Sequence, residues 1–167
     1  DMVFLCDGPR AFGQGQVTCY GGEIHAEMSL KQAFANSCNV TFASIAQALG
    51  SQRLTATAQK MGFNDNFAFR DVILYESLIP ENIEDESELA WTGVGQGKLL
   101  VTPLHMAMIA GAVANDGVMQ SPQLIAQVTG VGGIPRIRTA QSAYGRAMSS
   151  PTAATVKEYM AQAVKSG

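Results

Sequence analysis

No apolar run in this sequence approaches the roughly 18 residues that a membrane-spanning helix needs, so no such helix is expected within it. The first residues, Asp1 to Cys6, lack the charged lead and small-residue flank of a signal peptide. Basic charge is scarce and scattered: 11 Lys and Arg stand against 14 Asp and Glu, which excludes the positive stripe that a nucleic-acid backbone demands. Cysteine is also sparse. Cys6, Cys19 and Cys38, with His25, are the ligand types of a zinc site, but no Cys-x-x-Cys knuckle holds two of them on one turn, so no metal is expected. A Cys6 to Cys19 bridge across a Gly-rich hairpin and free buried thiols stay open, and three cysteines fit either redox compartment.

What is present is the composition of an ordinary globular domain, or part of one, with 167 residues and close to half of them apolar. Residues 1–28 are rich in Gly and Pro, with short apolar runs at Val3-Phe4-Leu5 and Gln16 to Tyr20, and read as a hairpin or extended loop. The apolar run begins at once with no lead-in, so the chain reads as an internal piece of a longer protein. Residues 29–62 change period. Ser29 and Gln32 form a capping box, Leu30, Ala33 and Phe34 follow at helical spacing, and the helix should stop at Asn36 to Asn39, whose short side chains compete for backbone hydrogen bonds. Phe42, Ile45, Ala46 and Leu49 predict a second helix ending at Gly50, and a third spans about Ser51 to Met61.

Residues 63–101 are expected to be mostly irregular, with Glu81 to Glu88 as a solvated acidic loop. Gly93-Val94-Gly95-Gln96-Gly97 matches neither the dinucleotide fingerprint nor a P-loop. Residues 102–117 form a core helix, with Thr102 as N-cap, Pro103 in the first turn, and a run apolar on nearly every face, which suits the interior of a larger domain. Residues 118–167 hold one or two strands around a Gly130 to Gly133 turn and a last helix capped by Ser150-Pro151. His25 and His105 have no Ser or Cys partner at a motif spacing and read as satisfied core or groove histidines.

The string Ala33-Phe34-Ala35-Asn36-Ser37-Cys38-Asn39-Val40-Thr41-Phe42, followed by Leu49-Gly50, resembles the second active-site motif of penicillin-binding protein transpeptidase domains, where Ser-x-Asn joins two helices. Gly95-Gln96-Gly97, Val101 to Leu104 and Ala114 to Gly117 continue the resemblance in order over about 130 residues. Cys6, Cys19 and His25 sit where many members carry a Cys-flanked hairpin leading to His-Gly, with Ala26 here in place of that glycine. The resemblance implies an α/β (α+β) fold: the helical side of a β-lactamase/transpeptidase-like domain with a few antiparallel strands, incomplete as it stands.

It also implies chemistry. A Ser-x-x-Lys supplies nucleophile and base, Ser-x-Asn assists, and Lys-Thr/Ser-Gly on an edge strand binds the substrate carboxylate. By similarity Ser37 is catalytic, relaying a proton between the lysine and the leaving amine. Asn39 is catalytic and substrate-binding, holding the acyl-side amide of a peptidoglycan stem peptide or a β-lactam. Cys38 would be structural. Ser37 and Asn39 are equally the residue types of an interhelical cap, so a purely structural role competes. Lys165-Ser166-Gly167 spells the third motif, which would make Lys165 and Ser166 substrate-binding, yet it ends a helical run and better fits the helix that precedes that strand.

No lysine here has a serine three residues earlier, so the nucleophile is expected upstream of Asp1, and this piece should not acylate alone. The implied parent is a D,D-transpeptidase that cross-links peptidoglycan outside the bacterial cytoplasmic membrane, anchored only through an N-terminal segment absent here, with no cofactor. The alternative is a β-lactam sensor or non-catalytic penicillin-binding-like module.

Overall fold

The computed structural model describes residues 2–66 and 75–166. Its strands pair as four separate antiparallel ribbons. Strand β1 (Val3–Cys6) pairs with β4 (Ala26–Ser29), and β2 (Arg10–Phe12) pairs with β3 (Gly15–Val17). Strand β5 (Val118–Gln120) pairs with β8 (Ala143–Arg146), and β6 (Gln127–Thr129) pairs with β7 (Pro135–Arg138). Among them run helices α1 (Leu30–Ala35), α2 (Asn39–Leu49), α3 (Ser51–Lys60), α4 (Glu86–Val94), α5 (Pro103–Ala114) and α6 (Ser150–Ser166).

The helix starts follow local chemistry. Ser29 accepts from the Gln32 N–H at 3.3 Å while its own N–H donates to Gln32 Oε1 at 2.9 Å, completing the capping box of α1. Thr102 accepts from the His105 N–H at 3.2 Å ahead of Pro103, as that pair predicts for α5. The cap of α6 is Ser149 rather than Ser150: its hydroxyl accepts from the Thr152 N–H at 3.2 Å, which places Ser150 and Pro151 inside the first turn.

One segment differs from its reading as irregular. Asp85 accepts from the Glu88 N–H at 2.7 Å and opens α4, with Glu86 and Glu88 in its first turn, where carboxylates suit the positive end of the helix. The acidic stretch is thus half loop and half helix. Ile83 is buried within it, and its N–H is held by Ser51 at 2.9 Å.

Helix α4 lies on α2 through small residues. Gly93 faces Ala46 so closely that an added Cβ would sit 2.2 Å from the Ala46 Cβ and 3.1 Å from the Phe42 carbonyl. Ile83 and Leu89 pack on Ala46, while Ala90, with Trp91 and Val94, packs on Phe12, Val17 and Ala43. On the other side, the ring of Phe34 in α1 meets Tyr159 of α6 at 6.0 Å and Phe42 of α2 at 6.2 Å, and Lys31 pairs with Glu158 at 2.6 Å. These contacts fix both helices that flank the Ser37 turn.

Helix α5 is buried on one side only. Its inner face, Met108 and Ala112, packs on Met119 and Ala147, while Met106 on the opposite face is 52% exposed. His105 is fully buried, 2.7 Å from the Met61 carbonyl through Nε2 and against the Phe63 ring, as expected of a core histidine.

Replacing Gly93 by Ala should force α4 away from α2 and cost roughly 1–3 kcal/mol, the usual penalty for overpacking. Urea unfolding monitored by circular dichroism checks this, and an unchanged midpoint would show that the helices part without cost.

Candidate functional site

The turn from α1 to α2 is built by two backbone bonds that close the end of α1. Cys38 N–H donates to the Ala33 carbonyl at 2.9 Å, and Ser37 N–H donates to the Phe34 carbonyl at 3.2 Å. This is the pairing of a Schellman end, which requires a left-handed residue one step past the cap. That residue is Ser37, with φ of 50°. Glycine usually occupies the position, because a Cβ there costs on the order of 1 kcal/mol. A serine in this conformation is a strained residue of the kind that collects at functional sites.

The side chains sort to opposite sides of the turn. Ser37 is exposed, Asn39 half-buried and Cys38 fully buried. Neither the Ser37 nor the Asn39 side chain caps a helix. The N-cap of α2 is Cys38, which makes no side-chain cap bond, and the Asn39 amide instead donates to the Thr18 carbonyl at 2.9 Å. The Ser37 hydroxyl has no partner among the described residues. An exposed hydroxyl that can both donate and accept therefore precedes by two positions an amide with one N–H anchored, whose second N–H and carbonyl oxygen can meet another group. Thr18, which orients that amide through its backbone, carries no signal that sequence reading could have used.

The other candidates lie elsewhere. Lys165 is in the last turn of α6, a helix of 17 residues, and so does not offer the extended backbone that a substrate strand would need; Ser166 ends the same helix.

Behind the turn, on the side that Cys38 faces, the three cysteines converge. They are free thiols, with Cys6 Sγ and Cys38 Sγ each 3.7 Å from Cys19 Sγ, so no Cys6 to Cys19 bridge is formed. Burial pushes the Cys6 thiol up, but polar groups of His25, with Cys38 and Cys19, more than offset this and bring it to about 7. Burial raises Cys19 to about 11, aided by its two sulfur neighbours against the Val40 N–H. His25 departs from its reading as a satisfied histidine. Its Nε2 lies 3.5 Å from Glu23 Oε2, while its Nδ1 is buried with no hydrogen-bond partner among the described residues.

The fold and the turn together define a mixed helix and antiparallel-strand domain of the transpeptidase/β-lactamase-like type, with its polar pair on an interhelical junction. Residues 9–167 match the sequence model of the penicillin binding protein transpeptidase domain, and the chain belongs to that family. It is 32% identical over 136 residues to the peptidoglycan D,D-transpeptidase PbpA of Mycolicibacterium smegmatis, covering 81% of this chain and 28% of that protein. PbpA of Mycobacterium tuberculosis is 30% identical over 164 residues, covering 94% of this chain and 32% of that protein. The chain thus spans under a third of the length of these relatives.

Solved structures agree. The D,D-transpeptidase domain of a peptidoglycan glycosyltransferase from Eggerthella lenta superposes with a TM-score of 0.89 at 28% identity, covering all of this chain and 44% of that one. The imipenem acyl-enzyme complex of M. tuberculosis penicillin-binding protein A superposes with a TM-score of 0.90 at 27% identity, covering 99% of this chain and 39% of that one.

If the hydroxyl of Ser37 has no structural task, Ser37→Gly should relax the left-handed turn and stabilise the protein by up to about 1 kcal/mol. Urea unfolding reads this directly. An earlier transition would mean that the hydroxyl supports the turn and would restore the capping role.

Proposed function

We propose that this chain is the part of a peptidoglycan D,D-transpeptidase domain that supplies Ser37 and Asn39 to a serine acyl-transfer site. One observation carries the reading: a strained serine, exposed and with a hydroxyl that bonds to none of the described residues, stands two positions before an amide that the Thr18 carbonyl holds. The β-lactam acyl-enzyme complex of a neighbouring structure and the activity named for PbpA support the same substrate class.

In this reading a serine outside the chain attacks the carbonyl carbon of a stem peptide, or of a β-lactam ring. The residues three before each lysine, namely Met28, Thr57, Gly95, Ala154 and Gln162, are not serine, so the nucleophile and its lysine come from elsewhere in the domain. Attack transfers a proton from that serine to its base, and the departing amine must be protonated for the bond to break. The Ser37 hydroxyl serves this passage by accepting on one side and donating on the other. Asn39, with one N–H held by Thr18, keeps its remaining N–H and its oxygen for the acyl-side amide and the lysine. The work takes place at the extracytoplasmic face of the bacterial cytoplasmic membrane, where peptidoglycan is assembled.

In the full-length protein, Ser37→Ala and Asn39→Ala should each slow covalent labelling by a fluorescent penicillin by roughly 10² or more while circular dichroism stays unchanged. Cross-linked product from stem-peptide donors should fall with the labelling. Unaltered labelling of both variants would refute the assignment. Labelling without any cross-linked product from the wild type would favour a β-lactam sensor. The isolated chain of 167 residues should take up no penicillin, and a stoichiometric mass shift would place a nucleophile within it.

A further inference from the structure

Four side chains distant in sequence meet behind the Ser37 turn. Cys6 ends β1, Cys19 and His25 lie in the connection from β3 to β4, and Cys38 is the N-cap of α2. One ligand atom from each can be chosen so that all four lie within 4.8 Å of one another. Cys6, Cys19 and Cys38 are buried, and the His25 side chain is only 10% exposed.

The spacing is that of a coordination shell rather than of a bridge. A tetrahedron with metal–sulfur bonds of about 2.3 Å has sulfur–sulfur edges of about 3.8 Å. Two edges here measure 3.7 Å. Disulfide sulfurs would be about 2.05 Å apart. The imidazole is oriented to match: the 3.5 Å approach of Glu23 to Nε2 leaves the unpartnered Nδ1 as the nitrogen available to the cluster. A carboxylate behind a ligating histidine is the usual outer support of zinc sites. The Thr41 hydroxyl donates to Cys38 Sγ at 3.2 Å. Such a donor stabilises a thiolate, the form in which cysteine binds metal.

We propose that Cys6, Cys19, His25 and Cys38 form a closed tetrahedral Zn²⁺ site that clamps the α1 to α2 turn from behind. Three thiolates and one imidazole select zinc over hard cations and leave no open position, so the site is structural. Its effect passes through Cys38. Fixing that residue fixes Ser37 on one side and Asn39 on the other, and the metal binds whether or not the transpeptidase reading holds.

No Cys-x-x-Cys knuckle joins these residues; the fold achieves the same convergence with a strand end, a loop and a helix cap. The full-length protein, purified under reducing conditions without chelator and equilibrated with Zn²⁺, should carry close to one zinc per chain by inductively coupled plasma mass spectrometry. Co²⁺ in its place should give the intense visible bands of tetrahedral cobalt thiolate. Cys19→Ser and His25→Ala should lose nine-tenths or more of the metal, whereas His25→Cys should keep both metal and fold, which covers the case in which a deletion variant fails to fold. A strong chelator should lower the unfolding temperature of the wild type and leave Cys19→Ser unmoved. Wild-type protein that takes up no Zn²⁺, an intact mass short by two hydrogens from a Cys6–Cys19 bridge, or full zinc in Cys19→Ser or His25→Ala would overturn the proposal.

Discussion

The left-handed backbone of Ser37 is tenable because the residue after it cannot move. Cys38 is fully buried among Cys6, Cys19, Met28, Ala33 and Val40, and its N–H closes the end of α1 on the Ala33 carbonyl. With that residue fixed, the chain must reverse between α1 and α2 within two positions, and the strain falls on Ser37. A strained conformation persists only where its surroundings over-determine it. Here the surroundings are the buried sulfur cluster below and two braced helices on either side.

The braces work by different means. Helix α4 holds α2 by close approach of small residues, Gly93 on Ala46, a contact that tolerates little displacement because interiors are packed near crystal density. Helix α6 holds α1 through the Phe34 and Tyr159 rings and the exposed Lys31–Glu158 pair, of which the rings carry most of the energy, since exposed ion pairs contribute little. Ribbon β1–β4 completes the arrangement. Its register sets Cys6 opposite Ala26, directly after His25, so one strand pairing brings a sulfur and an imidazole to the same place. Ala26 itself has φ of 56°, a backbone that glycine adopts more readily than alanine.

Much of the helical framework was legible because its signals are local. The Ser29–Gln32 box, Thr102-Pro103 and the Gly50 stop each act within a few residues, and each appears where the side chains indicate. Helix α4 was overlooked although its signal was equally local. Asp85 followed three residues later by Glu88, ahead of Leu89-Ala90-Trp91, is a cap and first turn, but the surrounding carboxylates made it look like solvated loop.

By itself the sequence determined the family, the helix junction and the presence of Ser37 and Asn39 on it, because caps, breaks and motif order are written over short spans. Tertiary structure alone decided that neither side chain caps a helix, that Thr18 aims the Asn39 amide, and that three cysteines and a histidine converge behind the turn. Residues 6, 19, 25 and 38 follow no helical or strand period relative to one another. They meet only because the β1–β4 pairing and the burial of Cys38 bring distant backbone together, and proximity of that kind depends on packing rather than on spacing along the chain.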